Sequence, residues 1–244
     1  MNVLILCGLV AAAGGPLQTT AKPVPVRVVA ENGRFQLQRG GKPYVVKGAG
    51  GDGSLALLAK MGGNSMRTWG ADRLGEILDE AARNGLTVTA GIWLGHERHG
   101  FRYDDPAQVA RQKENVRQVV EKYRGHPALL IWALGNEMEG DGSKEIIWRA
   151  VNDLAVMVKQ LDPNHPTMTV IAEVGGDKVK NLHRFCPAVD IVGINSYAGA
   201  SSVARRYVAA GGTKPFILTE FGPPGTWEVP KTPWGAPIEP TSTE

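Results

Sequence analysis

Short apolar runs alternate with helical patterns along most of the chain. The runs predicted as buried strands are residues 44–47, 65–69, 87–94, 129–134, 167–174, 189–194 and 215–219. Between them, apolar residues recur every three or four positions, which indicates amphipathic helices at 72–84, 106–124 and 143–161. An Asn32-Gly33 pair between two β-rich segments predicts a hairpin ahead of the first run. Seven strands alternating with helices predict either an open doubly wound sheet or a (β/α) barrel.

Two glutamates follow non-adjacent strands of this pattern. Glu137 comes after Gly135-Asn136 at the end of the fourth predicted strand, and Glu220 lies in Thr219-Glu220-Phe221-Gly222 at the end of the seventh. They are 83 residues apart across three strand–helix units, close to the ~31 residues per unit of an eightfold barrel. The spacing favours the barrel, with both carboxyl groups at its carboxyl-terminal end, where catalytic residues of that fold lie.

The fold prediction is therefore an α/β chain forming a (β/α)8 TIM barrel. No eighth apolar run is visible, because the sequence after Gly222 is rich in proline. We expect a single incomplete barrel over residues 27–244, truncated after the seventh strand and preceded by a short hairpin. A missing strand would leave two unpaired edges, so such a fragment should fold poorly alone.

Composition excludes several classes of protein. The chain has 244 residues, 43% of them apolar, and a net charge of +3; it can bury a core and has no basic patch for nucleic acid. The apolar run 3–13 is shorter than the ~20 residues of a membrane span.

We interpret residues 1–21 as a signal peptide and expect secretion or export to the periplasm. Because no basic residue precedes the run, a cytosolic protein remains the alternative; a lipid anchor on Cys7 is less favoured.

The glutamate pair suits the hydrolysis of glycosidic bonds. One carboxylic acid protonates the leaving oxygen while a second carboxylate attacks the anomeric carbon, and an amide such as that of Asn136 holds the sugar 2-hydroxyl. Either glutamate alone could instead cap a helix or pair with a cation. Their joint position at barrel spacing favours catalysis.

Five segments resemble the retaining glycoside hydrolases of clan A, especially the TIM-barrel domain of glycoside hydrolase family 2. The segment from His126 to Glu137 is similar to the fourth-strand signature. The other four are Lys47-Gly48, Met66-Arg67-Thr68-Trp69-Gly70, Gly193-Ile194-Asn195-Ser196-Tyr197 and Leu218-Thr219-Glu220-Phe221-Gly222.

The resemblance implies Glu137 as general acid/base and Glu220 as nucleophile. It implies that Arg67 keeps Glu220 ionised and that Tyr197 donates a hydrogen bond to it, with Asn136 and Asn195 in the substrate-binding set. No metal or cofactor is implied. The expected substrate is an oligo- or polysaccharide with β-linkages, cleaved with retention. A transglycosylase and a non-catalytic glycan-binding barrel remain alternatives, and the oligomeric state is open.

Further aromatic and polar residues follow the strands. Trp69, Trp93 and His96 end the second and third strands, where the two indole rings could stack on sugars or simply pack. Glu173 ends the fifth strand and could line the cleft. Two other patterns are disfavoured. The stretch from Gly95 to His99 lacks the i, i+4 histidine pair of a metal site, so we expect a polar loop in which His96 contacts sugar hydroxyl groups. The Gly-rich pattern after the first strand lacks a ribose-binding carboxylate.

Overall fold

The Asn32-Gly33 turn forms the predicted hairpin. In the computed structural model, which describes residues 22–238, strands β1 (Val26–Glu31) and β2 (Arg34–Arg39) pair antiparallel. A short β3 (Lys42–Pro43) pairs with β2. Asn32 and Gly33 have φ of 50° and 72°, left-handed values that fit a two-residue hairpin turn. The predicted signal peptide lies outside the described residues.

Seven parallel strands form the main sheet, each hydrogen-bonded to the next in chain order. They are β4 (Gly48–Gly50), β5 (Ser65–Arg67), β6 (Thr87–Ile92), β7 (Leu129–Asn136), β8 (Thr167–Ala172), β9 (Ile191–Tyr197) and β10 (Phe216–Gly222). The sheet curls far enough that Arg67 of β5 reaches Glu220 of β10. This confirms the barrel and contradicts the open doubly wound alternative.

Helices cover the outer face of the barrel. They are α1 (Leu55–Lys60), α2 (Leu74–Arg83), α3 (Pro106–Tyr123), α4 (Glu145–Leu161), α5 (Lys178–Phe185) and α6 (Val203–Ala209). Their apolar faces pack on the outward side chains of the strands: Trp148 of α4 is 1% exposed and shares a core cluster with Trp132 of β7. Among residues 22–238, no helix is both long and apolar enough to cross a membrane.

The first barrel strand lies later in the chain than predicted. Residues 44–47 were expected to form it, but the ladder with β5 begins at Gly48. The side chain of Asn64 accounts for the shift: its Oδ1 accepts the Lys47 N–H and its Nδ2 donates to the Val45 carbonyl, each at 2.8 Å. Backbone groups held by a side chain cannot join the ladder. The dinucleotide pattern is likewise excluded, because Gly48–Gly50 is a strand rather than a phosphate-binding loop.

The hairpin sheet closes the amino-terminal end of the barrel. Val26 is 1% exposed and packs in one cluster with Ile131, Met168 and Val170, which fill the barrel interior. Its N–H donates to the Asn164 carbonyl at 2.8 Å. The opposite, carboxyl-terminal end stays open.

A large cavity lies between the two outer strands of the sheet. Within residues 22–238, neither β4 nor β10 pairs with a strand on its outer edge. The cavity between them measures about 970 Å³ and is lined by Gly48–Gly50, by β10, and by Arg67, Trp69 and Tyr197. Glu220 lines it as well, so the nucleophile predicted from the sequence faces open space.

Candidate active site

Glu220 is held by three hydrogen-bond donors. Its Oε1 accepts from Arg67 Nη1 at 2.9 Å and from Trp69 Nε1 at 2.7 Å, and its Oε2 accepts from the Tyr197 hydroxyl at 2.8 Å. Burial opposes ionisation, but the bonds from Trp69, Arg67 and Tyr197 outweigh it and lower the pKa of Glu220 below its usual range. The carboxylate is thus ionised and oriented at the rim of the cavity.

Arg67 joins the two ends of the site. It is 6% exposed, and its second nitrogen, Nη2, donates to Oδ1 of Asn136 at 2.7 Å. One guanidinium therefore holds both the carboxylate of Glu220 and the amide of Asn136. With its oxygen engaged by Arg67, Asn136 is left with its NH₂ group to donate to a ligand.

Glu137 begins the loop after β7 in a strained conformation. Its φ is 54°, in the left-handed region that β-carbon-bearing residues rarely adopt, and its N–H donates to the Val170 carbonyl at 2.9 Å. Strain of this kind persists where the surroundings fix the residue, often at functional sites.

Asn195 fixes the side chain of Glu137. Its Nδ2 donates to Oε1 of Glu137 at 2.6 Å and to Oδ1 of Asn136 at 3.2 Å, while its Oδ1 accepts from Thr219. Asn195 was predicted to bind substrate, but it is 2% exposed. Its burial therefore assigns Asn195 to positioning the side chain of Glu137 rather than to contact with a ligand.

Tyr197 donates to Glu220 and packs against the segment after β10. Burial, together with its bond to Glu220, raises the pKa of Tyr197 to about 12, so the phenol keeps its proton and donates. Trp227 packs edge-on against its ring with centroids 5.2 Å apart. The Pro-rich segment after β10 therefore reaches the site, whereas Trp234 remains 79% exposed.

Trp69 does more than the sequence indicated. We expected a stacking platform, and the ring does line the cavity. In addition its indole N–H donates to Glu220. Nothing in the strand pattern could reveal that bond, since it depends on the rotamer of a side chain beyond the strand end. Gly50 of β4 leaves room for the ring: a β-carbon there would lie 3.1 Å from Trp69 Cη2.

Trp93 and His96 lie away from the main cavity. Trp93 is 45% exposed and lines a separate depression of about 350 Å³ against α3. His96 is 2% exposed and stacks on Trp93 at 4.7 Å between centroids. Burial, with the nearby charge of Arg98, lowers the pKa of His96 to about 4. It was predicted to contact hydroxyl groups; its burial instead makes it a neutral support for Trp93.

Glu139 is a residue of the site that the sequence pattern did not single out. It is 3% exposed and its Oε1 accepts from the Ala172 N–H at 2.8 Å, with Lys178 Nζ at 3.1 Å. Burial raises the pKa of Glu139, and the charge of Lys178 opposes that rise. These bonds tie the loop carrying Glu137 to the end of β8. Its position two residues after Glu137 is the only sequence signal for this role.

The site therefore consists of two carboxyl groups joined by a continuous chain of hydrogen bonds. The order is Glu220, Arg67, Asn136, Asn195 and Glu137. One carboxylate is ionised by its donors, and the other is held by an amide at the same end of the barrel. This arrangement can carry out nucleophilic attack with acid assistance.

Known proteins with related sequences share this barrel. Residues 57–225, more than half of the chain, match the family model "Glycosyl hydrolases family 2, TIM barrel domain". The chain belongs to glycosyl hydrolase family 2. A β-galactosidase of Klebsiella pneumoniae is 28% identical over 180 residues, which cover 72% of this chain and 16% of that protein. The chain thus spans less than a fifth of this curated relative.

Solved structures of the family have the same fold. A β-D-glucuronidase of Dictyoglomus thermophilum superposes with a TM-score of 0.62 at 22% identity, covering 81% of this chain and 39% of that one. A β-galacturonidase of Eisenbergiella tayi bound to galacturonate gives a TM-score of 0.61 at 18% identity, covering 87% and 40%. At these identities the likeness establishes the barrel alone.

Proposed function

We propose that this barrel is the catalytic domain of a retaining glycosidase that cleaves a β-linked glycan through a covalent glycosyl-enzyme intermediate. The observation that supports it most directly is the bonded chain from Glu220 to Glu137. It supplies an ionised nucleophile and a separately held acid at the mouth of one barrel.

In the first step, a carboxylate oxygen of Glu220 attacks the anomeric carbon. The bond from that carbon to the leaving oxygen breaks, and the proton of Glu137 passes to this oxygen. Positive charge develops on the sugar ring, and the Asn136 NH₂ group donates to its 2-hydroxyl. The donors to Glu220 keep the attacking group ionised beforehand.

In the second step, Glu137 takes a proton from water, whose oxygen attacks the anomeric carbon and releases Glu220. If an acceptor sugar enters instead of water, the same step gives a transfer product. The choice depends on how well the site excludes water. Each step inverts the configuration at the anomeric carbon, so the product retains the configuration of the substrate.

For the substrate, the relatives suggest β-galactosides and β-hexuronides. Their printed names specify β-galactosidase, β-glucuronidase and β-galacturonidase. Glu220 and Trp69 line the same cavity, and Trp69 offers a sugar an aromatic face. Glycosides of these sugars are therefore the first to assay.

Alanine variants with an added nucleophile test the mechanism. Glu220→Ala should lose turnover of 4-nitrophenyl β-glycosides, and azide should restore it with formation of the α-glycosyl azide. Glu137→Ala should give the β-azide from an activated substrate, because azide attacks the intermediate. Unchanged turnover in either variant would refute the mechanism, and binding without turnover by the unaltered chain would favour a glycan-binding barrel.

We also propose export, on the basis of the apolar run 3–13 and the small residues after it. The mass of the mature protein from its native host tests this. Loss of about the first 21 residues supports export, and an intact N-terminus contradicts it.

A further inference from the structure

Glu173 occupies on β8 the place that Glu137 occupies on β7. Each is the first residue after its strand, each has a left-handed φ (62° and 54°), and each donates its N–H to a carbonyl of the following strand. For Glu173 the acceptor is Asn195, at 2.8 Å. The two glutamates are therefore neighbours on the same rim, and both are held in a conformation that glycine adopts more easily.

The carboxylate of Glu173 is fixed by a built cluster. Its Oε1 accepts from Arg206 Nη1 at 2.7 Å and from the Val174 N–H at 2.8 Å, and its Oε2 accepts from Ser196 Oγ at 2.7 Å. Gly199 completes the cluster: a β-carbon there would lie 2.7 Å from Arg206 Nη2 and 3.1 Å from Glu173 Oε2.

Counting donors and acceptors shows which atom remains available. Arg206 also donates to the carbonyls of Val174 and Gly199 and to the hydroxyls of Ser196 and Ser202, so its five N–H groups have partners. A carboxylate oxygen accepts about two hydrogen bonds. Oε1 of Glu173 has two donors, whereas Oε2 has one. Among residues 22–238, one acceptor position of Oε2 therefore has no protein donor, and the Glu173 side chain as a whole is 43% exposed.

The electrostatics keep this acceptor ionised. Burial would raise the pKa of Glu173, but hydrogen bonds from Arg206 and Ser196 outweigh it and lower the pKa below its usual range. Glu173 is therefore a poor acid at neutral pH and a strong hydrogen-bond acceptor for hydroxyl groups.

The position of Glu173 relative to Glu137 indicates which part of a substrate it meets. Glu137 delivers its proton to the leaving oxygen, so the leaving group passes over the rim beside β7. On one side of β7, strand β6 leads into Trp93, whose 45%-exposed indole has no hydrogen-bond acceptor, and then into the buried Leu94 and His96. On the other side, β8 leads into the half-exposed Glu173. The main cavity beside Glu220 does not include Glu173.

We propose that Glu173 forms the leaving-group subsite, accepting a hydroxyl of the departing sugar at Oε2 while Arg206 and Ser196 orient its carboxylate. The inference rests on the proposed glycosidase function and adds the recognition of a hydroxylated leaving group. The same contact serves an acceptor sugar in the transfer reaction.

The test compares two substrates with one glycone. One is the 4-nitrophenyl β-glycoside, whose leaving group has no sugar hydroxyls, and the other is the β-1,4-linked disaccharide with glucose as the leaving sugar.

Two variants remove the acceptor at Glu173. In Glu173→Gln, Arg206 holds the amide oxygen, so the NH₂ group faces the ligand. Glu173→Gly removes the carboxylate and relieves the backbone. Glu121→Gln, in an exposed ion pair of α3 with Arg117, is the control.

Both Glu173 variants should lower kcat/KM for the disaccharide about 10- to 100-fold, the effect of losing one charge-assisted hydrogen bond. Turnover of the 4-nitrophenyl glycoside should change less than about 3-fold, and Glu173→Gly should keep the thermal midpoint of the unaltered chain. Equal losses on both substrates, or no loss on the disaccharide, would overturn the subsite while leaving the glycosidase function intact. If the unaltered chain turns over neither substrate, the proposed function itself fails.

Discussion

The indole N–H of Trp69 donates to Oε1 of Glu220 at 2.7 Å, on the same oxygen that Arg67 contacts. The pair joins the end of β5 to the end of β10 across the curled sheet. The ring of Trp69 lines the cavity, and its N–H is one of the donors that lower the pKa of Glu220. A substitution at Trp69 can keep the aromatic ring and remove the N–H donor.

Trp69→Phe keeps an aromatic face and removes the donor. We expect kcat/KM to fall about 10- to 100-fold, as for other hydrogen bonds to charged groups. The acid limb of the pH profile should move to higher pH, because a bond that lowers the pKa of Glu220 is lost and the nucleophile must be ionised to attack. Trp93→Phe, whose ring lies outside the main cavity, should leave the acid limb in place.

Arg67→Met removes the cation bonded to Glu220, whose carboxylate lines the cavity and keeps the bonds from Trp69 and Tyr197. We expect the free energy of unfolding at pH 7 to fall by about 1.5–3 kcal/mol, as when a hydrogen bond to a charged group is lost. In the unaltered chain the depressed pKa of Glu220 contributes stability that is present above the unfolded pKa and lost as pH falls through the folded pKa. In the variant, protonation of Glu220 should instead stabilise the folded state as pH falls, because it neutralises a charge that has lost its cation.

Urea unfolding at pH 7 and at pH 4.5 measures this difference. The destabilisation caused by Arg67→Met should be smaller at the lower pH. A cost that is equal at both values would show that Arg67 acts through packing alone.

Asn195→Ala removes the amide that holds Glu137 without touching the cavity wall. We expect the loss to depend on the leaving group. Turnover of 2,4-dinitrophenyl glycosides, which need little acid assistance, should change less than turnover of alkyl glycosides, which should fall about 10- to 100-fold. A uniform loss across leaving groups would contradict the positioning role.

Gly91→Ala tests the close contact that places Arg67 and Trp69. A β-carbon at this position would lie 2.1 Å from the Thr68 carbonyl oxygen and 2.7 Å from the Trp69 carbonyl carbon. Because backbone would have to move, we expect a loss of about 1–3 kcal/mol in stability together with reduced activity. Gly125→Ala meets nothing within 4 Å and should change the free energy of unfolding by less than about 0.5 kcal/mol.

The strands, and with them the positions of Glu137 and Glu220 at strand ends, were predictable because buried strands leave a strong apolar signal. Strand β7 reads as an unbroken apolar run, and its end places Glu137. Helix α6 was missed because it has seven residues and buries only Val203 and Tyr207. The start of β4 was predicted too early because the side chain of Asn64 binds the Lys47 N–H and the Val45 carbonyl.

The roles around the two glutamates could be predicted only in part. The resemblance to glycoside hydrolase family 2 predicted the hydrogen bonds of Arg67 and Tyr197 to Glu220. It did not give the burial of Asn195 and His96, since exposure depends on how neighbouring loops pack over a strand end. The cluster around Glu173 joins two separate strand–helix units, β8–α5 and β9–α6, so no local pattern predicts it.

Trapping the glycosyl-enzyme intermediate tests the central claim most directly. The chain is incubated with an activated 2-deoxy-2-fluoro β-glycoside of a sugar it turns over, whose fluorine slows release of the intermediate, then digested and analysed by mass spectrometry. The account predicts one added fluoroglycosyl group on the peptide that contains Glu220, and none in Glu220→Gln. Labelling of a different carboxylate, or turnover with inversion and no adduct, would contradict it.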